Sequence, residues 1–498
     1  MKKVLFQAFK MSTSLLLISL MLVGLLSGGV WAEAKTAVSA PLSPAFVAYM
    51  EGLNAETITG QSATVHQSGH IPVPVERYLG ESDQLTTAAA LPAAYDLRVT
   101  GRITEVRDQD PYGSCWAFAS LASLESYLKA SQTTDLSENN LMLNHGFDWG
   151  PDDGGNEGIA IAYLARWSGP VTESADPYDS PQKYNLAPAY HVQDVDHLPN
   201  SPAVIKQALI EGGALDTSIY SDAMDSDYYF NSDTAALYYD GSNQVDHDVA
   251  IVGWDDNYDR SNFNNQPPGD GAWIIKNSWG TEWGDDGYFY LSYYDSYAGN
   301  NVTAFHNAEA TENYNRIYQY DPLGQTTVKG YIGSNSAWGA NIFTASANDS
   351  LTAVSTYTLS PNASLQINVY TNVNPGEPES GQLQSSKTVT IPFNGYHTIA
   401  LDQAVALTAG QRFSIVVNYT TPGYSYPLPV EEALFNYSSE ATATAGQSFI
   451  SYESGGPWKD ISQYHGCKDV KLGEESRAKS HSQHLFFLNR IYQSTSEK

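Results

Sequence analysis

Residues 109–118 read Gln-Asp-Pro-Tyr-Gly-Ser-Cys-Trp-Ala-Phe, and they place Cys115 directly after a Gly-Ser turn. Apolar residues then recur at the spacing of one buried helix face: Ala117, Leu121, Leu124 and Leu128. A helix is therefore predicted to begin near Cys115. Unpaired backbone N–H groups and the helix dipole favour a thiolate at that end, and such surroundings lower a cysteine pKa to about 3.5–7.5. The stretch predicts a nucleophilic cysteine.

A nucleophilic cysteine needs a base within reach and a third group that orients the base. Among the histidines, His247 stands out because it begins an apolar predicted strand, residues 247–254, at the rim of a sheet. Asn277 ends another predicted strand, and its amide oxygen can accept from one imidazole nitrogen and fix which nitrogen faces the thiol. Trp279 can shield that hydrogen bond from water. From spacing alone, His247 can equally be a structural histidine, and residues 277–280 a turn with aromatic packing.

Several segments of the chain resemble papain-like cysteine proteases. Residues 109–118 are similar to the family's active-site segment, in which Gln is followed by five residues and then Cys-Trp-Ala-Phe. The strand that begins at His247 resembles the family's histidine strand, and residues 277–284, Asn-Ser-Trp-Gly-Thr-Glu-Trp-Gly, resemble its asparagine motif. Shorter similarities lie at residues 95–98 and 136–138. The order Cys, His, Asn and the separations between them also fit, so together the motifs are specific.

The resemblance implies an α+β fold: a two-lobed protease domain with a helical lobe and an antiparallel β-barrel lobe. It implies that Cys115 attacks the peptide carbonyl, and that His247 holds the proton as an imidazolium and passes it to the leaving amine. Asn277 would orient His247. Gln109 and the backbone N–H of Cys115 would form the oxyanion hole. The expected function is a secreted cysteine endopeptidase that works through a thioester acyl-enzyme.

The resemblance also implies a substrate cleft without the family's disulfides. Gly154 and Gly155 resemble the paired glycines that line the family's cleft, and Ser114 and Trp279 are expected beside it. The family usually has a cysteine where Tyr112 stands here, and Asp-Asp precedes the glycine pair. The cleft is therefore expected to be held by packing and hydrogen bonds alone.

Changes in composition suggest how the chain is divided. Residues 1–32 have a basic start, an apolar run and a small-residue cleavage site, which are typical of a secretory signal peptide. Residues 33–90 are polar and fit a pro-segment, an N-terminal extension or a disordered linker. Residues 91–300 carry the protease motifs. Residues 305–465 alternate short apolar strands with turns, which predicts an all-β sandwich. Bacterial papain-like proteases often carry a lectin-like domain of this kind.

The last segment differs in composition from the predicted sandwich. Residues 466–498 contain six Lys or Arg residues, whereas residues 305–465 contain five, and strand alternation is not seen past His465. Two explanations are open. One is a reading-frame change that removes a final sandwich strand, and the other is a natural basic tail.

The overall composition of the chain restricts the classes of partner that it is expected to bind. The net charge of −30 argues against nucleic acid or an anionic membrane surface. Only Cys115 and Cys467 occur, so disulfides contribute little, although a pair between these two stays open. Residues 255–259 have the start of a calcium loop without its later Gly and Glu, so no metal or cofactor is expected. After removal of the signal peptide, the protein is expected outside the cell or at its surface, without stable membrane insertion.

The expected partners are protein or peptide substrates, with a glycan or surface ligand for the sandwich. Two alternatives to the peptidase are open. One is a surface adhesin or glycan-binding protein that uses the protease fold as a scaffold. The other is a Cys–His transpeptidase. An intact set of Gln109, Cys115, His247 and Asn277 favours the peptidase over the scaffold, because a scaffold has no chemical need for all four.

Overall fold

A computed structural model of the chain describes residues 35–59, 69–80, 91–463, 485–487 and 490–494. By its contacts the chain divides into a short unit, Met1–Ala37, and a main unit, Val38–Lys498. The main unit contains all of the site described below. The predicted signal peptide and Cys467 lie outside the described residues.

The helices begin and end largely where the sequence provides capping residues. Ser137 Oγ accepts from Asn140 N–H at 2.9 Å, and Asn156 Oδ1 accepts from Ile159 N–H at 3.1 Å. A further helix follows Ser201 and ends at Glu211, just before Gly212. The described helices are α1 (Pro44–Thr59), α2 (Leu97–Thr100), α3 (Cys115–Leu128), α4 (Glu138–Asn144), α5 (Glu157–Ala165) and α6 (Pro202–Glu211).

Helix α3 begins at Cys115, as predicted, and is buried along nearly its whole length. Its apolar residues join a core that also contains α5 and strands of the second domain. Ser114, at the N-cap, makes no side-chain capping bond. The first N–H groups of α3 are therefore not capped by this residue, and one of them, that of Trp116, bonds to the Cys115 thiol.

Strands of the first domain follow the predicted order of helices and then strands, which confirms the α+β class. The predicted strand that begins at His247 and the predicted strand that leads to Asn277 are both present. The described strands of this region are β1 (Ala37–Ser39), β2 (Ala94–Asp96), β3 (Tyr190–Leu198), β4 (Leu215–Ile219), β5 (Phe230–Asn231), β6 (Ala236–Leu237), β7 (His247–Asp255), β8 (Ala272–Lys276), β9 (Tyr288–Ser292) and β10 (Val302–Ala310).

The second domain is built from strands, as predicted. They are β11 (Arg316–Tyr318), β12 (Thr327–Tyr331), β13 (Ser336–Thr344), β14 (Asp349–Thr358), β15 (Ala363–Thr371), β16 (Gln382–Ile391), β17 (Asn394–Leu407), β18 (Arg412–Thr420), β19 (Leu428–Glu432), β20 (Ser448–Ser451), β21 (Lys459–Asp460), β22 (Leu485–Phe487) and β23 (Arg490–Ser494). Among the described strands, one sheet has the order β16-β15-β18-β13-β20-β21. Its Tyr419 Oη lies 2.6 Å from Thr356 Oγ1 of β14, which joins the two layers of the sandwich.

One sheet runs without a break from the first domain into the second. In the described part of the chain its order is β11-β23-β14-β17-β3-β10-β4-β7-β8-β9-β6-β5. The junction is the antiparallel pair of β17 and β3, with Asn394 opposite His197 and His397 opposite Asp194. The predicted boundary, residues 300–305, overlaps the start of β10, which pairs with β3 along its length. The sequence did not reveal this junction, because residues about 200 positions apart in the chain form it.

Two strands lie in the tail that was expected to lack them. β23 pairs with both β14 and β11, and β22 pairs with β19. Among the described strands, β22 thus forms the edge of one sheet, and β23 lies inside another, between β11 and β14. Their alternation was missed because each strand is short and is separated from the others by polar residues.

Within the ranges that the structure describes, no helix is long and apolar enough to cross a lipid bilayer.

Candidate active site

The Cys115 thiol is fully buried at the N-terminus of α3. Burial raises the pKa of this thiol well above its ordinary value, and the charge of Asp248 raises it further. Hydrogen bonds from the backbone N–H groups of Asp248 and Trp116 act in the opposite direction. The sequence predicted only the lowering effect of the helix end. In the closed cleft, desolvation is the larger effect, and the cysteine is held as a thiol.

His247, the first residue of β7, is fixed by two neighbours. Its Nε2 lies 2.8 Å from Asn277 Oδ1, and since the amide oxygen only accepts, Nε2 is the donor. The indole of Trp279 stacks on the imidazole, with ring centroids 4.7 Å apart. All of His247 and nearly all of Asn277 are buried. Asp248, the next residue after His247, provides one of the N–H groups at the Cys115 thiol, so the start of β7 reaches the thiol.

The Gln109 side chain is held at both ends of its amide. Ser278 Oγ donates to Gln109 Oε1 at 2.7 Å, and Gln109 Nε2 donates to the carbonyl of Tyr112 at 3.1 Å. The Gln109 backbone N–H also donates to the Ser278 carbonyl at 2.8 Å. These bonds join the loop that precedes Cys115 to the loop that follows Asn277, and they orient the amide nitrogen toward the cysteine loop.

Tyr178 braces the cysteine loop through its hydroxyl and its ring. Its Oη donates to the Gln109 carbonyl at 2.5 Å and lies 2.7 Å from Ser114 Oγ. Tyr112 packs edge-on against the Tyr178 ring and donates to Asp179 Oδ1 at 2.9 Å. A hydrogen-bonded aromatic pair thus supports this loop, and nothing in the sequence motifs identified Tyr178 in advance.

The paired glycines lie against residues 69–71, which occupy the cleft. Gly155 N–H donates to the Gly69 carbonyl at 2.8 Å, and Ile71 N–H donates to the Gly155 carbonyl at 2.7 Å. A Cβ on Gly154 would lie 2.3 Å from the Gly69 carbonyl oxygen, so only glycine allows this approach. On the other wall, His70 N–H donates to the Asp246 carbonyl at 3.0 Å. Residues 69–71 therefore bridge the two walls of the cleft.

The side chain of His70 lies on Asp248. Its Nδ1 is 2.8 Å and 2.9 Å from the two carboxylate oxygens, and both side chains are almost fully buried. Burial lowers the pKa of His70, but the charge and hydrogen bond of Asp248, with smaller contributions from Glu157 and Asp246, raise it above its ordinary value. Sequence reasoning missed both residues. Only the position of Asp248, directly after His247, could have indicated that it faces the cleft.

Residues 73–80 continue from the cleft toward the second domain. Arg77 forms a largely buried ion pair with Glu157 at the start of α5. Tyr78 stacks on Tyr424, with ring centroids 5.5 Å apart, and its carbonyl accepts from Asn394 Nδ2 at 3.4 Å. This segment thus contacts both domains.

Two family models match the chain. Residues 91–307 match the model described as papain family cysteine protease, and residues 317–472 match the lectin like domain. The chain therefore contains a papain-family cysteine protease domain followed by a lectin-like domain, as the sequence motifs predicted.

Curated relatives match the protease region. Cysteine endopeptidase Rep1 of Oryza sativa subsp. japonica is 32% identical over 237 residues, which cover 46% of this chain and 58% of that protein. Procathepsin L of Rattus norvegicus is 32% identical over 213 residues, which cover 41% of this chain and 60% of that protein. The alignments thus span less than two thirds of the length of these relatives.

Solved structures match both domains together. The cysteine protease and lectin-like domains of Cwp84, a surface layer associated protein of Clostridium difficile, superpose with a TM-score of 0.74 at 25% identity. This match covers 92% of this chain and 98% of that one. A Cwp84 variant after propeptide cleavage gives a TM-score of 0.67 at 26% identity, over 81% of this chain and 99% of that one.

Proposed function

Because residues 91–307 form a papain-family cysteine protease domain, we propose that the chain is an exported cysteine endopeptidase with Cys115 as its nucleophile. One observation carries this proposal: the buried His247 ring is fixed between Asn277 and Trp279 on the strand that contacts the Cys115 thiol. A nucleophile, a base and an orienting group are the set that acyl transfer to cysteine requires.

The orientation of His247 determines the path of the proton. Since Nε2 donates to Asn277, Nδ1 is the nitrogen that exchanges a proton with Cys115 Sγ. The thiol proton passes to Nδ1, and the thiolate attacks the peptide carbonyl carbon. The imidazolium then donates its proton to the leaving amine, which leaves a thioester. Water, deprotonated by His247, hydrolyses the thioester and restores the thiol.

The negative oxygen that forms during attack needs donors that are already in place. The backbone N–H of Cys115 at the start of α3 and the amide nitrogen of Gln109 are the proposed donors. The bond from Ser278 Oγ to Gln109 Oε1 supports this role, because it fixes which end of the amide faces the cysteine loop. Each donor of this kind contributes about 2.7–4 kcal/mol to transition-state stabilisation.

We further propose that residues 69–80 are an inhibitory pro-segment. Substrate cannot enter while His70 bridges Gly155 and Asp246, so the segment must leave before catalysis. Its removal also admits water, which reduces the desolvation that raises the Cys115 pKa. The Cwp84 structure described as following propeptide cleavage is consistent with this view.

The same match supports a location at the cell surface. Cwp84 is described as surface layer associated, and we propose an extracellular or cell-surface location for this protein. A glycan or surface protein bound by the lectin-like domain would keep the protease close to its protein substrates. Analysis of the reaction products distinguishes the proposed peptidase from the adhesin and transpeptidase alternatives.

The test is digestion of a peptide library by the purified full chain under reducing conditions, read by mass spectrometry. Hydrolysis by the wild type, its loss in Cys115→Ala and its retention in Cys467→Ala are expected. Cleavage by Cys115→Ala at the wild-type rate would overturn the assignment. Products joined to an added amine, in place of hydrolysed ends, would indicate a transpeptidase. An absence of any product would favour the adhesin.

A further inference from the structure

Residue 70 lies in the cleft in the manner of a bound peptide residue. Its flanking backbone groups pair with Gly155 on one wall, and its own N–H pairs with Asp246 on the other. A peptide substrate that enters the same space meets the same backbone donors and acceptors. The residue that takes the place of His70 then directs its side chain to the carboxylate of Asp248.

That carboxylate is buried among other acids. Asp248 is 2% exposed, and His70 Nδ1 lies within 2.9 Å of both of its oxygens. Asp246 and Glu157 also act on His70. His70 lies on Asp248 and Arg77 pairs with Glu157, and both of these cationic partners belong to residues 69–80. Departure of that segment therefore leaves the carboxylates of Asp248 and Glu157 without these two partners.

We propose that Asp248 is the specificity-determining residue of the cleft, and that it selects peptides with a cationic side chain at the position that His70 occupies. This inference rests on the proposed peptidase function and names its substrate class.

The side chain that replaces His70 determines how well the buried Asp248 carboxylate is compensated. A buried carboxylate that loses its partner is costly unless a new partner or water compensates. A Lys or Arg side chain restores a charge-assisted hydrogen bond, whereas an apolar side chain covers the carboxylate without pairing it. A cationic side chain beside Asp248 also offsets the negative charge of Asp248, which disfavours the thiolate form of Cys115. A hydrogen bond to a charged group of this kind should raise kcat/KM for a peptide with the cationic side chain by roughly 10- to 100-fold over a peptide without it.

The test uses fluorogenic peptides scanned at each position on the acyl side of the scissile bond. Each set compares Lys with norleucine, which has a similar length and no charge, and with Glu. The enzyme is the full chain, activated in reductant until a separate sample of it is labelled at Cys115 by an epoxide inhibitor of cysteine proteases; the sample used for cleavage contains no inhibitor. At one position the wild type should prefer Lys over norleucine by roughly 10- to 100-fold. In Asp248→Asn this ratio should fall close to 1.

The matched control is Asp233→Asn, which removes an exposed carboxylate between β5 and β6. It should keep the wild-type ratio. A wild type that cleaves Lys and norleucine peptides equally at every position would overturn the inference and leave the peptidase intact. An unchanged ratio in Asp248→Asn would do the same. Failure to cleave any peptide would instead count against the proposed function, and this inference would fall with it.

Discussion

At the scale of single residues, Cys115 is subject to two opposing influences. Burial and the charge of Asp248 raise the pKa of its thiol, while N–H groups at the start of α3 lower it. In the proposed mechanism, His247 accepts the thiol proton, and the hydrogen bond to Asn277 holds the His247 ring in the orientation that this transfer needs.

Replacement of Asn277 by Ala should lower kcat with little change in KM, because it disorients the base without touching the cleft walls. The expected loss is about 10- to 100-fold, a part of the 10²–10⁴-fold that acid–base catalysis contributes. Steady-state kinetics of the activated full chain would measure it. A rise in KM with unchanged kcat would contradict the orienting role.

A second prediction at the scale of single residues concerns Tyr178. Tyr178→Phe removes the hydroxyl that bonds the Gln109 carbonyl and Ser114 Oγ. The loss of these bonds should destabilise the cysteine loop by about 1–3 kcal/mol and lower kcat. Tyr228→Phe, on a ring that is 57% exposed, is the matched control. Thermal unfolding and kinetics of both variants test this, and equal behaviour of the two would refute the bracing role.

At the scale of elements, the segment of residues 69–80 lies across the cleft and is the proposed inhibitor of the site. In this segment, the contact with Asp248 raises the pKa of the His70 imidazole above its ordinary value of 6.5. A raised pKa in the bound state means that this contact is at full strength below the ordinary pKa. It is lost as pH rises through the raised value. The segment should therefore bind more tightly in acid and release more readily at higher pH.

The labelling rate of Cys115 by the epoxide inhibitor measures this release. The wild type should label more slowly than His70→Gln at low pH, and the two rates should converge as pH rises. The ratio of the two rates removes the pH dependence of the thiol itself. The groups that face His70 are Asp248, Asp246 and Glu157, and none of them changes in this comparison. A ratio that does not vary with pH would contradict the account.

Much of the first domain could be predicted from sequence because its motifs are local. The helix at Cys115 and the strand at His247 each follow from one short periodic stretch. Partners that come from distant segments could not be found this way. Tyr178 reaches Gln109 and His70 reaches Asp248 only through the folded chain, and no local pattern encodes either contact.

At the scale of the whole molecule, the continuous sheet joins the protease to the lectin-like domain. The pair of β17 and β3 forms the junction, and Phe46 of α1 and Tyr437 of the second domain share the core that contains α3. The second domain is therefore part of the support of the catalytic helix, in addition to any ligand that it binds.

Gly395 offers a test of this junction. A Cβ at this position would lie 1.9 Å from the Val195 carbonyl oxygen. Gly395→Ala should therefore force β17 from β3 and destabilise the chain by about 1–3 kcal/mol, as overpacked sites do. Gly52→Ala, where a Cβ meets open space, is the control. A lower midpoint of thermal unfolding in Gly395→Ala alone is expected, and an unchanged midpoint would show that the junction contributes little.

The central claim is that Cys115 is a nucleophile served by His247. Covalent labelling of the reduced full chain by the epoxide inhibitor, located by mass spectrometry of its peptides, tests this most directly. The account predicts one adduct on Cys115, with labelling slowed in His247→Ala and abolished in Cys115→Ala. Labelling of Cys467 in place of Cys115, or an equal rate in His247→Ala, would contradict it.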